Sequence, residues 1–209
     1  MPKLLLTSRG TYIIDGTYEI FDKPRNQIKW AYVITASKGV PDISYLNTHR
    51  QRMIELGWNF TEIDIEGKNE DELRQAFKDT EAIYVEGGNT FYLLKAIRES
   101  KFEKVIRELL DKGVVYTGSS AGAYVACPTI EMATWKRDNK FDHHGVTDFT
   151  AMNLVPFLVV AHYTSDLESI IRPKINQAKY PVKILTDQQA ILVKGDKIEI
   201  LEDKNIKSK

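Results

Sequence analysis

Cysteine is nearly absent from this sequence, which has only Cys127 among 209 residues. A single cysteine forms no internal disulfide, which excludes the small secreted folds that disulfides stabilise and predicts a reducing compartment, the cytoplasm. Net charge is absent as well, because 29 Lys and Arg residues balance 29 Asp and Glu residues. A chain without excess positive charge gives no electrostatic reason to expect binding to nucleic acid or to an anionic membrane surface.

Long hydrophobic runs are also missing. No stretch approaches the roughly 20 apolar residues of a membrane span, and the apolar run at residues 4–6 is too short for a secretion signal. Hydrophobic residues make up 43% and charged residues 28% of the chain, as is usual for globular proteins. Because we find no internal repeat and no linker, we expect residues 1–209 to form one domain.

Short apolar runs alternate with amphipathic stretches along the chain. Strands are predicted at residues 3–7, 29–36, 58–65, 82–85, 114–117, 157–161 and 182–185, and helices at 41–56, 69–78, 91–99, 102–112 and 166–177. A hairpin is predicted at 190–200, segment 131–146 is polar like a loop or lid, and segment 11–27 has no clear pattern. This alternation predicts an α/β fold with a mostly parallel sheet and helices on both faces. Ligands of such sheets bind at the carboxyl ends of the strands.

The predicted strand at 114–117 leads into Gly118-Ser119-Ser120-Ala121-Gly122, which fits the G-x-S-x-G pattern of a nucleophile elbow. Small neighbours allow the sharp turn that raises the central serine above the sheet. The same pattern is found in small-residue loops before helices. The strand before Ser120 and the helix-compatible run after it favour a nucleophilic serine.

A nucleophilic serine needs a base, and the base needs a group that orients it. His162 directly follows the predicted strand at 157–161, so its side chain is expected at the carboxyl edge of the sheet; a buried histidine bonded to the backbone is the alternative. Asp187 also follows a strand and is the best candidate for the acid, although a turn aspartate would fit too. The order Ser120, His162, Asp187 differs from the Ser…Asp…His order of ordinary α/β-hydrolases.

The other histidines have a different context. His49 lies in the middle of a predicted helix with polar neighbours, where we expect it to be solvated. His143 and His144 are adjacent in a charged segment, which favours a surface loop over a metal site because metal sites need several convergent ligands. We expect neither a metal nor an organic cofactor.

An oxyanion hole needs two converging N–H donors. The N–H of Ala121 directly follows the candidate nucleophile, and Gly87-Gly88 can supply the second donor because glycine lets the backbone approach a substrate closely. Glycine pairs also bind phosphates. The chain, however, contains neither a P-loop motif nor the third glycine of a dinucleotide-binding fingerprint.

Three motifs together resemble the peptidase E family of serine peptidases, which includes aspartyl dipeptidase and is related to cyanophycinase. They lie at residues 84–94, with Gly-Gly-Asn-Thr, at 118–123, and at 161–164, and the resemblance extends over residues 3–201. It implies a flavodoxin-like fold similar to that of class I glutamine amidotransferases, with serine in place of cysteine. It also implies a Ser120–His162–Asp187 triad. The oxyanion and substrate-binding residues implied by the resemblance are Gly88, Ala121 and Asn89.

Two departures leave aspartyl specificity open. Aspartyl dipeptidases carry a glutamate where this chain has Asp187, and they have a longer insert after the histidine that helps to recognise the substrate's N-terminal aspartate. Here His162 runs almost directly into the predicted helix at 166–177. We therefore predict a serine peptidase that acts on short peptides, without naming the peptide or the oligomeric state.

Two other functions remain open. A non-catalytic protein that binds small molecules or peptides would keep this scaffold and its elbow without a reactive serine. A relative of the glutamine amidotransferases would need a cysteine at the elbow, whereas Cys127 lies seven residues after Ser120.

Overall fold

The computed structural model describes residues 1–16, 20–21, 23–136 and 142–202. The strands in these residues are β1 (Lys3–Thr7), β2 (Lys29–Val33), β3 (Asn59–Ile63), β4 (Ala82–Val85), β5 (Val115–Ser119), β6 (Leu158–Val160), β7 (Val182–Ile184), β8 (Gln189–Lys194) and β9 (Lys197–Glu202). The α-helices are α1 (Gly10–Asp15), α2 (Ser44–Glu55), α3 (Glu70–Ala76), α4 (Thr90–Ser100), α5 (Phe102–Asp111), α6 (Ala121–Tyr124) and α7 (Glu168–Gln177). Short 3₁₀ turns occupy 25–27, 35–39, 131–134 and 165–167.

The main sheet has the strand order β3-β2-β4-β5-β1-β8-β9. Its first five strands are parallel, while β8 is antiparallel to β1 and forms a hairpin with β9. If strands are counted from β2, the order begins 2-1-3-4, as in flavodoxin, and β1 takes the fifth place. A second sheet pairs β6 with β7 in parallel. The predicted α/β fold, its mostly parallel sheet and its C-terminal hairpin are confirmed.

Both faces of the main sheet are covered, as the alternation of side chains in β1 shows. Leu4 and Leu6 belong to a core with residues from α3, α4, α5 and α6, whereas Leu5 belongs to a second core with residues from α1 and α2. Successive residues of a strand point to opposite faces, so the two cores lie on opposite sides of the sheet. The near-continuous apolar character of the strands follows from this double burial.

Local sequence signals account for several helix boundaries. Asn69 caps α3 by accepting from Asp71 N and Glu72 N, and Glu72 bonds back to the Asn69 N–H, which completes a capping box. Helix α5 buries Phe102, Val105, Ile106 and Leu109, the spacing of one amphipathic face.

No helix of the described ranges is both long and apolar enough to cross a bilayer.

Beyond small shifts of element bounds, the structure differs from the predicted elements at the end of β2 and at α1. Strand β2 ends at Val33 because a 3₁₀ turn at 35–39 follows, in which Thr35 Oγ1 donates to Asp64. Helix α1 was not predicted, since six residues are too few to show a helical period. In the polar segment 131–146, Arg137, Asp138 and Lys140 lie outside the described residues.

The carboxyl ends of both sheets meet at one place. Ser8 follows β1, Glu86 follows β4, and Ser120 follows β5 at the same edge of the main sheet. The small sheet joins this edge through a hydrogen bond from His162 N to Ser8 Oγ at 2.7 Å. Leu185 N and Tyr163 N extend the pairing of β7 with β6 beyond the strand ends, which brings Asp187 toward the same edge.

Candidate active site

Ser120 occupies a strained turn between β5 and α6. Its backbone has φ 47° and ψ −107°, in the left-handed half of conformational space that non-glycine residues rarely adopt. Both glycines of the motif are needed for this turn. A Cβ at Gly118 would lie 2.5 Å from Gly122 O, and one at Gly122 would lie 2.2 Å from Val85 O. The sequence therefore folds into a sharp elbow, whose Ser120 N–H is tied to Thr7 O of β1 at 3.0 Å.

The structure brings together the side chains of Ser120, His162 and Asp187. His162 Nε2 lies 3.1 Å from Ser120 Oγ, and His162 Nδ1 lies 2.7 Å from Asp187 Oδ1. A carboxylate only accepts hydrogen bonds, so the proton on Nδ1 faces Asp187 and the lone pair of Nε2 faces the serine. The side chains of His162 and Asp187 are each 41% exposed, so a substrate can reach them.

Asp187 is held in its charged form. Partial burial opposes its ionisation, but hydrogen bonds from His162 and Ser8 and favourable electrostatic interactions with His162 and Arg9 outweigh burial and lower the pKa of Asp187 to about 2. Arg9 Nε lies 3.9 Å from Asp187 Oδ2. An ionised Asp187 at neutral pH stabilises positive charge on the imidazole of His162.

Ser8 is a member of this cluster that the sequence did not reveal. Its hydroxyl donates to Asp187 Oδ1 at 2.6 Å, accepts from His162 N at 2.7 Å and lies 3.3 Å from His162 Nδ1. The backbone of His162 has φ 54°, so the Ser8 contact supports another strained residue. The available signal was its place at the end of a strand, the same signal that pointed to His162 and Asp187.

Gly88 lies beside the elbow in a conformation that favours glycine. Its φ is 143°, and a Cβ there would lie 2.4 Å from Ala36 O. A Cβ on the preceding Gly87 would lie 3.3 Å from Ser120 Cβ, so this loop packs directly against the elbow. Within the described part of the chain, the N–H groups of Gly88 and Ala121 donate to no acceptor, which leaves both free for a ligand.

Asn89 does not line the cleft beside Ser120. Its Oδ1 caps α4 by accepting from Phe91 N and Tyr92 N, and its Nδ2 donates to Gly39 O and Asp142 O. The side chain is buried and its bonding capacity is used within the protein. The predicted role of Asn89 in substrate binding is therefore corrected to a helix cap.

His49 is not solvated, contrary to our expectation. Its side chain is only 12% exposed, and Nδ1 lies 2.7 Å from the buried carboxylate of Glu86. His143 stacks on Phe91 with 4.0 Å between ring centres, and His144 Nε2 lies 3.2 Å from Asn89 Nδ2. Across the residues described, no group of three His, Cys, Asp or Glu side chains is placed to hold a metal ion.

A cleft of about 560 Å³ lies beside the elbow, and its volume suits a small ligand. Ser120, His162 and Gly88 lie along it, and His49 and Lys136 are also part of its wall. Lys136 Nζ donates to Ala161 O and His162 O, and burial lowers the pKa of Lys136 against the attraction of Asp187. A separate groove of about 450 Å³ between α4, α5 and residues 148–152 contains none of the three site residues.

The model of peptidase family S51 matches residues 4–201. This chain belongs to peptidase family S51. It is 30% identical over 199 residues to the uncharacterized peptidase PM1590 of Pasteurella multocida, which covers 94% of this chain and 95% of that one. It is 35% identical over 162 residues to the probable alpha-aspartyl dipeptidase of Drosophila melanogaster, covering 72% and 64% of the two chains.

A solved structure has the same fold as this chain. The crystal structure of a putative peptidase E protein from Listeria monocytogenes EGD-e superposes with a TM-score of 0.83 at 26% identity, over 98% of this chain and 100% of that one. The resemblance to the peptidase E family and the glutamine amidotransferase-like fold are thereby confirmed. This S51 chain is a serine peptidase.

Proposed function

We propose that this S51 peptidase hydrolyses short peptides with Ser120 as nucleophile, His162 as general base and acid, and Asp187 as the group that orients His162. The observation that supports this most strongly is the hydrogen-bonded chain from Ser120 Oγ through the imidazole of His162 to Asp187 Oδ1, with distances of 3.1 and 2.7 Å. This chain provides the nucleophile, base and orienting acid that serine hydrolysis requires.

The reaction follows from these positions. Ser120 Oγ attacks the scissile carbonyl carbon while its proton passes to His162 Nε2, and Asp187 stabilises the imidazolium. The carbonyl oxygen, now negative, accepts hydrogen bonds from the N–H groups of Gly88 and Ala121. The C–N bond breaks as His162 gives its proton to the leaving amine. A water molecule, deprotonated by His162, then releases the acyl group and restores Ser120.

Dipeptides and tripeptides are the substrates we propose. The cleft volume of about 560 Å³ suits a ligand of this size, and the Drosophila relative is named a dipeptidase. The acid in this chain is Asp187, one methylene shorter than glutamate, and β6 is followed closely by the 3₁₀ turn at 165–167. Recognition of an N-terminal aspartate by a long insert after His162 therefore does not transfer to this chain.

A panel of dipeptides and tripeptides tests the proposal. Each peptide is incubated with wild-type protein and with Ser120→Ala, and products are identified by mass spectrometry. Pairs that differ only by Asp or Asn at the first position measure aspartyl preference. We expect cleavage of at least one short peptide by the wild type alone. A wild type that is folded but cleaves nothing, and that a fluorophosphonate probe does not label, would contradict the proposal.

Ser8→Ala is expected to lower kcat by about tenfold or more with little change in KM. The substitution removes one donor to Asp187 and the acceptor of His162 N, and hydrogen bonds to charged groups contribute about 1.5–3 kcal/mol. Steady-state kinetics on the best peptide of the panel measure the effect. Ser165→Ala is the matched control, since Ser165 is exposed in the 3₁₀ turn after His162. Equal kcat in wild type and Ser8→Ala would show that Ser8 does not position His162.

A further inference from the structure

Glu86 is a buried carboxylate at the end of β4, only 1% exposed, directly before Gly87 and Gly88. It accepts hydrogen bonds from five donors, which lie on β2, β4, α2, β5 and the loop after β4. Oε2 accepts from Tyr32 Oη at 2.5 Å, Tyr84 Oη at 2.9 Å and His49 Nδ1 at 2.7 Å, and Oε1 accepts from Gly87 N at 2.7 Å and Ser119 Oγ at 3.0 Å.

A buried carboxylate is costly unless its charge is paired and its oxygens are hydrogen-bonded. Burial opposes ionisation of Glu86, but the hydrogen bond and charge of His49, with the bonds from Tyr32 and Gly87, keep its pKa below the ordinary value. Burial, together with the negative charge of Glu86 and the hydrogen bond to it, raises the pKa of Tyr32. Glu86 is therefore a charged acceptor inside the fold, and the triad chemistry proposed above does not use it.

The two oxygens of Glu86 face different parts of the structure. Oε2 accepts from side chains of β2, β4 and α2. Oε1 contacts the N–H of Gly87 in the loop and the hydroxyl of Ser119, the residue immediately before Ser120. It thus joins the loop that presents the Gly88 N–H to the strand that presents Ser120. Because the loop packs against the elbow, a shift of Gly87 would change where Gly88 N lies relative to Ala121 N.

We propose that Glu86 is a positioning residue for the reaction, whose Oε1 holds Gly87 and Ser119 together so that the N–H groups of Gly88 and Ala121 face the same oxygen of the bound substrate. This inference rests on the proposed function of the site. Its competitor is a purely structural role, in which the charge of Glu86 only balances His49.

Two substitutions separate these roles because one keeps the shape and the other keeps the charge. In Glu86→Gln, the amide oxygen takes the place of Oε1, while the amide NH₂ can donate to two of the three groups that face Oε2, which are the two tyrosine hydroxyls and a neutral His49. In Glu86→Asp, the charge stays near His49 but the carboxylate is one methylene shorter and recedes from Gly87 N. Positioning predicts that Gln is more active than Asp, whereas charge balance predicts the reverse.

The readout is the rate constant for covalent labelling of Ser120 by a fluorophosphonate probe. We expect Glu86→Gln to label within about tenfold of wild type and Glu86→Asp to label about 100-fold more slowly, comparable to the loss of one oxyanion donor. With the best peptide of the panel, the loss in Glu86→Asp should fall on kcat and leave KM within about threefold. Tyr32→Phe is the control, because it removes a donor to Oε2 without touching the loop, and its labelling should match wild type.

Thermal melts establish that each variant is folded at the assay temperature. If Glu86→Asp does not fold, Glu86→Met is compared with Glu86→Gln instead. Both variants lack the charge, but only Gln keeps a strong acceptor at the place of Oε1, so positioning predicts slower labelling of Met and charge balance predicts equal labelling. Equal labelling of the Gln and Asp variants, faster labelling of Asp, or a Gln variant that does not fold would each overturn the inference. Labelling needs no particular peptide, so a wild type that is not labelled contradicts the proposed function instead.

Discussion

Ser120→Ala is expected to abolish peptide hydrolysis, with kcat lower by about 10⁴-fold or more. The variant has no oxygen to form the acyl intermediate, so His162, Asp187 and the N–H donors at Gly88 and Ala121 would act only on a bound peptide and water. The fold should survive. Alanine at φ 47° is no more strained than serine, and His162, which loses a partner at Nε2, is 41% exposed and can bond to water.

Rates from the peptide panel and thermal melts of both proteins test this expectation. Fluorophosphonate labelling directly identifies the serine that reacts, but assigning the modified residue requires one precaution. Trypsin cuts after Lys112 and Lys136, so Ser119 and Ser120 lie in the same peptide, and fragment spectra must assign the modified serine. We expect modification at Ser120 in the wild type and none in the variant. More than about 1% residual turnover in a folded Ser120→Ala protein would reject Ser120 as the nucleophile.

The parts of the site that sequence predicted share one feature, a strong local constraint. Gly118 and Gly122 are required because a Cβ at either position would lie 2.5 Å or less from a backbone oxygen. Five consecutive residues therefore contain the whole pattern that specifies the elbow. His162 and Asp187 each follow a short apolar strand, and the carboxyl ends of strands in this fold class point to the ligand. Position at a strand end, together with the need of a nucleophilic serine for a base and an acid, made them the candidates.

Ser8 was missed because its role depends on partners far away in the chain. Its hydroxyl bonds to residues 154 and 179 positions later, and the sequence around it contains only the ordinary end of a strand. The position of β1 between β5 and β8 creates the contact. A topology in which the first strand stays at an edge would leave Ser8 far from His162, so its place at a strand end did not by itself single it out.

His49 and Asn89 were misinterpreted for different reasons. The polar neighbours of His49 predicted solvent contact, but its spacing from Leu46 and Met53, both buried, places it on the inner face of α2. For Asn89, the resemblance carried a substrate-binding role. Its position immediately before a helix was the better indication, because asparagine is favoured as an N-cap, and the structure shows that cap.

Asp187→Asn is expected to lower kcat by about 10³-fold or more while leaving the protein folded. An amide cannot balance the imidazolium that forms when His162 takes the serine proton, and an NH₂ facing Nδ1 would favour the tautomer that cannot accept that proton. Ser8 and His162 Nδ1 both contact Oδ1 within 2.7 Å, so the substitution changes two short hydrogen bonds. Peptide kinetics measure the loss, and an Asn variant within tenfold of wild type would remove Asp187 from the proposed triad.

Two controls accompany Asp187→Asn: the variant Asp187→Glu, which keeps the charge, and a measurement of Tm as a function of pH. Glutamate keeps the charge, but because the aspartate already lies 2.7 Å from Nδ1, the longer side chain must fold back, and we expect a loss smaller than that of Asn. The pKa of Asp187 is lowered to about 2, so its ionised form stabilises the native state above the ordinary aspartate pKa and this contribution disappears as pH falls to about 2. The Tm difference between wild type and Asp187→Asn should therefore shrink below about pH 4. A difference independent of pH would assign the effect on stability to shape rather than to charge.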